Sequence, residues 1–218
     1  MKKWGLVVTL LYFLIVLILL VPATGILVAD LPPSFSDITK LYQHWATWML
    51  AGIFALCQVA LLSLSVDQTR PRMRSRTPIA VSAVITGLCT ATITAVVVLA
   101  LYVVVRGESK VPDPGGWLNV IAVFVILWMI WGVLFYRLYR NSEDPVTRAL
   151  SWLFRGSVLE LLVAVPSHVI VRRRDDCCAP MVTGFGITSG IAIMLIAFGP
   201  SVLLLFKKRM ERYPAAGK

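Results

Sequence analysis

The sequence predicts an all-α, polytopic membrane protein: one bundle of six transmembrane helices with both termini in the cytoplasm. Three observations lead there. Of 218 residues, 58% are hydrophobic and 15% charged, and the mean hydropathy is +0.82, whereas soluble domains average about 45–50% apolar and about 25% charged residues. The apolar residues fall into six runs, at 6–28, 41–66, 78–105, 117–139, 149–171 and 182–206, each long enough for a hydrocarbon core that takes about 20 helical residues to cross. Lys and Arg divide unevenly between the two sets of connecting segments, fourteen to six, which places the richer side and both termini inside. The runs lack the alternation of a barrel, and an open strand edge has no partner in lipid, so the spans are helices. These features exclude a soluble enzyme, a disordered chain and a disulfide-stapled module. They also argue against a nucleic-acid partner for the net charge of +10, because the basic residues sit at span ends and act there as topology determinants. The expected setting is a bacterial inner membrane, with the lipid bilayer as the first partner.

The first run, 6–28, follows Lys2 and Lys3 and contains Val21-Pro22-Ala23, a pattern that resembles a signal peptide with small residues near a cleavage point. The apolar run resumes at Gly25 and continues to Ala29, so it is read as an uncleaved helix. Leu31-Pro32-Pro33-Ser34 then marks a turn. The second run carries His44 near its outer end, Trp45 and Trp48 at headgroup level, and Cys57 in mid-span, where a thiol behaves as a small apolar group. The segment that follows holds Arg70, Arg72, Arg74 and Arg76, a topology anchor that also suits contact with anionic lipid headgroups.

The third run is lined by Ser82, Thr86, Cys89, Thr90 and Thr94, small and hydroxylated residues that let helices approach closely. Pro112 to Gly116 form the next turn, and the fourth run ends in an interfacial anchor of Tyr136, Arg137, Tyr139 and Arg140. The sixth carries Gly186 and Gly190 at GxxxG spacing, a tight-packing signal. It serves either a neighbouring helix or a partner, and a membrane-protein partner or a second copy is the expectation for these two glycines.

Helix five departs from this pattern. Glu160 stands at the middle of 149–171, where a charge costs about 2.5–3.5 kcal/mol on insertion scales. It must therefore face protein or water, find a partner, or carry a proton. Gly156, Ser157, Glu160, Ala164, Ser167 and His168 share an arc of about 120° at helical spacing, and Pro166 removes a backbone hydrogen bond from the same stretch. Glu160 with Ser157 and Arg155 forms a candidate intramembrane polar site. In it, Glu160 either lines a proton path or bonds to a Ser or Thr of a neighbour or to Arg155.

The outer end of this helix reads His168, Arg172-Arg173-Arg174, Asp175-Asp176, Cys177-Cys178. Its three arginines lie on the side with fewer basic residues and resist the topology. Adjacent cysteines facing an oxidising compartment suit a soft metal, a redox pair or a strained mutual bond. With His168 and His44 at similar depth, they make a candidate metal site for copper or zinc, or a bis-histidine haem site.

No metalloprotease, phosphate-loop, nucleophile-elbow or CxxC motif is present in the sequence. Three classes of function remain. The favoured one is a non-enzymatic subunit or assembly component. The alternatives are an outward-facing metal or redox protein and a small proton-coupled transporter using Glu160. Runs one to three and four to six show no mutual similarity of the kind inverted repeats leave.

Overall fold

A computed structural model describes residues 2–28, 35–67, 76–107, 117–142, 144–174 and 179–212. Eight α-helices follow in order: α1 (Lys2–Ile15), α2 (Val21–Val28), α3 (Phe35–Gln43), α4 (Trp45–Asp67), α5 (Arg76–Arg106), α6 (Trp117–Arg140), α7 (Pro145–Arg173) and α8 (Ala179–Arg212). A π-helical turn, Val16–Leu20, joins α1 to α2, so the three form one continuous rod. No strand occurs among the described residues. Six helical stretches are long and apolar enough to cross a membrane: Gly5–Val28, Trp45–Leu64, Pro78–Arg106, Leu118–Arg140, Pro145–Arg173 and Ala179–Ser201.

Three span starts shift by three residues or more from expectation, the first two for identifiable reasons. The second span does not begin at residue 41, because the chain bends at His44 between α3 and α4. Thr47 Oγ1 donates to the Leu41 carbonyl at 2.7 Å and Trp48 Nε1 to the Tyr42 carbonyl at 2.8 Å. These side chains take the carbonyls that a continuing helix would have used. The fifth span begins at Pro145, four residues before the first position of its apolar run, because Asp144 caps it. Its carboxylate accepts from the Thr147 amide at 3.3 Å and from the Thr147 hydroxyl at 2.5 Å, with proline in the first turn. The sixth likewise starts at Ala179 rather than 182.

The centre of the bundle is α7 packed between α5 and α8, with α8 also meeting α2 and α4, and α1 lying on α4. Small residues set the spacing. A Cβ on Gly87 of α5 would stand 2.8 Å from the Gly132 nitrogen and 2.9 Å from its Cα on α6. A Cβ on Gly186 would collide with Val96 of α5 and touch Ala164 of α7 at 3.4 Å, and one on Gly190 would meet Glu160 and Leu161 of α7. Of the two uses expected for Gly186 and Gly190, a neighbouring helix or a partner, the first is seen: both are buried, and they pack against α5 and α7. α6 lies at the edge, and of its described side chains Phe135 and Tyr139 alone are buried.

The basic triplet that resists the topology has a structural use. Arg172 donates to the Leu27 carbonyl at 2.5 Å and Arg174 to the Val104 carbonyl at 2.7 Å. Each guanidinium thus satisfies a carbonyl in the last turn of a neighbouring helix, α2 or α5, where cations are favoured. Arg172→Ala is expected to cost about 1.5 kcal/mol, the usual worth of a hydrogen bond to a charged donor, read as a lower thermal midpoint in detergent.

Candidate functional site

Glu160 is placed by the buried face of α7. Ser157, Glu160, Ala164, Ser167 and His168 are all buried on that face, and Arg155 is exposed on another. The serines are spent on their own helix: Ser157 Oγ donates to the Phe154 carbonyl at 2.9 Å and Ser167 Oγ to that of Val163 at 2.7 Å. His168 Nδ1 shares a 2.9 Å hydrogen bond with Thr183 Oγ1 of α8. Glu160 Oε1 accepts from Ser189 Oγ of α8 at 3.0 Å, while Oε2 has no hydrogen-bond partner. Among the described residues Glu160 forms no ion pair; of the two partners expected for it, a Ser or Thr of a neighbour or Arg155, the carboxyl meets a hydroxyl on the neighbouring helix. Gly190 makes this possible, since its absent side chain leaves the space that Oε2 fills.

Ser189 faces two ways. Besides holding Glu160, it closes the floor of a cavity of about 670 Å³ near the bend between α3 and α4. Val16, Leu20 and Val21 wall one side, at the π-helical turn; Leu50, Ala51 and Phe54 of α4 wall the second. Phe185 and Ala192 of α8 complete it, and Lys40 and His44 stand at the rim. The volume lies within the 300–1,000 Å³ range typical of small-molecule sites.

The π-helical turn and α3 are tied together where they border this space, because the Tyr42 hydroxyl donates to the Leu17 carbonyl. π turns shift backbone groups out of register and occur often at functional sites. Burial holds the Tyr42 phenol above its ordinary pKa. α3 is amphipathic with no fully buried residue. Lys40 is bridged by Asp37 at 3.1 Å, both exposed.

The other expected sites fare differently. His44 lies at the bend rather than inside span two, exposed, with its ring stacked on Trp45 at 6.3 Å and Nδ1 3.4 Å from the Ala46 amide. Cys177 and Cys178 lie outside the described residues, as do Arg70, Arg72 and Arg74; Arg76 opens α5 without a described side chain. Among the described residues no group of three or more His, Cys, Asp or Glu comes together, so copper, zinc and haem gain no support from this part of the molecule. Cys57 and Cys89 are buried in the core with their thiols in contact.

Sequence reasoning missed Ser189 and the cavity walls. Ser189 follows Thr188 on a glycine-rich stretch of α8, and it sits one residue before the position whose missing side chain admits the Glu160 carboxyl. Six helices long and apolar enough to cross a membrane are compatible with an integral membrane protein. No family model, no curated protein and no solved structure matches the chain.

Proposed function

We propose that this integral membrane protein is a non-enzymatic binding protein for a long-chain amphiphile. The ligand's chain occupies the cavity between α1–α2, α4 and α8, and its head stays at the rim beside Lys40 and His44. The observation that carries this reading is the cavity itself: about 670 Å³, walled by aliphatic and aromatic side chains, with polar groups at its rim and floor. An apolar volume of that size between membrane-spanning helices suits a molecule that already resides in the bilayer. Its polar rim lies at the headgroup level marked by Trp45 and Trp48. On the basic-residue count this rim belongs to the outer leaflet.

The test uses the full-length protein in detergent and parinaric acid, a fluorescent polyene fatty acid. Ala192→Leu and Leu50→Trp each place bulk inside the cavity, at positions that line it. Saturable binding by the parent protein, weakened at least about tenfold by either variant with the thermal midpoint retained, supports the reading. Binding unaffected by both variants would refute it. Two variants on different helices guard against one that overpacks and fails to fold.

A further inference from the structure

The buried carboxyl beneath the cavity has a use that ligand binding does not require. Glu160 is fully buried at the centre of α7, with one oxygen on Ser189 and the other unpartnered. Ser189 has a single hydroxyl hydrogen yet stands within hydrogen-bond distance of two acceptors, Glu160 Oε1 at 3.0 Å and the Gly186 carbonyl at 3.1 Å. The count closes when Glu160 carries a proton. The acid then donates to Ser189 Oγ, and Ser189 donates onward to Gly186, so that one directed chain uses both contacts. An ionised carboxylate would leave one contact unmade and a bare charge in an apolar interior.

Among the described residues, the groups around it supply no cation. Cys89 of α5 lies close enough to interact with it, and Cys57 of α4 and Tyr12 of α1 share one buried core with that thiol. α8 contributes the neutral Ser189, and His168, two turns along α7, is engaged by Thr183. The described polar contact of the carboxyl is therefore the one residue that also floors the cavity.

We propose that Glu160 is a proton-binding site served from the cavity: a neutral carboxylic acid just behind the cavity wall, whose proton exchanges through the Ser189 hydroxyl and which hydrophobic, carboxyl-directed reagents that enter by the amphiphile's route reach past Ser189. This rests on the cavity reading, and it adds a proton to it. A ligand whose deep end offers an acceptor competes for the Ser189 hydrogen, so occupancy of the cavity and occupancy of Glu160 by a proton are linked.

The experiment is reaction of the full chain, in detergent, with dicyclohexylcarbodiimide, followed by intact mass and peptide mapping. The acid O–H adds across one N=C bond of the reagent. Its proton goes to nitrogen and its oxygen to the central carbon, giving an O-acylisourea that rearranges to a stable N-acylurea with no leaving group. One adduct on Glu160 is expected, absent in Glu160→Gln and slowed at least about tenfold by Ala192→Leu or by saturating parinaric acid. A protein that binds parinaric acid but forms no adduct at Glu160 overturns this inference and leaves the cavity reading standing. Labelling at an unchanged rate in the filled cavity overturns the proposed route. Failure of parinaric acid to bind, with Glu160 still labelled and protected by Ala192→Leu, refutes the amphiphile and keeps the proton site.

Discussion

Gly87→Ala is expected to destabilise the bundle by about 2–3 kcal/mol, at the upper end of what overpacking costs, whereas Gly132→Ala should change stability by less than about 1 kcal/mol. The two glycines face each other across the contact of α5 and α6, yet the contact is one-sided. A methyl on Gly87 points at the Gly132 backbone, 2.8 Å from its nitrogen and 2.9 Å from its Cα, while a methyl on Gly132 meets nothing within 4 Å. Backbone cannot rotate out of the way as a side chain can, so the helices must separate. α6 packs chiefly on α5 and only slightly on α7, so separation here loosens its main attachment. Thermal and denaturant unfolding of the two variants in detergent measure the asymmetry. Equal effects at the two positions would mean that the crossing is not as close as described.

Glu160→Lys should prevent stable folding, and Glu160→Gln should be tolerated. A cation at the centre of α7 carries an insertion cost of about 2.5–3.5 kcal/mol. The amide keeps the size of the acid, remains neutral and has an N–H to donate to the Ser189 oxygen in place of the acid's O–H. Accumulation of the two variants in membranes, and their elution as monodisperse species after extraction, distinguishes them. A lysine variant as stable as the parent would place position 160 at water or lipid rather than in the core.

Much of this architecture was legible in the chain because it follows from one-dimensional properties. Six apolar runs of sufficient length became six helices long enough to span, and the arc of small and polar residues on helix five, apart from the half-buried Gly156, lies on the buried face of α7. The places where reading failed are those where side chains intervene in backbone bonding. Thr47 and Trp48 capture the carbonyls of Leu41 and Tyr42 and split the expected second helix. Asp144 starts α7 from within a polar segment that hydropathy discounts. The triplet Arg172-Arg173-Arg174 looked anomalous only because the carbonyls of Leu27 and Val104, which two of its members satisfy, lie 145 and 70 residues away.

The site divides along the same line. Glu160 announced itself, since an acid at the middle of an apolar helix cannot be left to lipid. Its partner could not be read, because any of several hydroxylated positions on helices three and six was compatible with it. Likewise, GxxxG spacing at Gly186 and Gly190 signalled close approach without saying to what. The sequence by itself determined the number of spans, their lengths and the need to shelter one carboxyl, because each membrane helix satisfies its own backbone and is selected by hydrophobic length. Only the tertiary structure decided which faces meet, which hydroxyl holds Glu160 and where the helices leave a cavity. Lipid is as apolar as a leucine face, so helices in a membrane are sorted by shape and hydrogen bonding between distant parts of the chain.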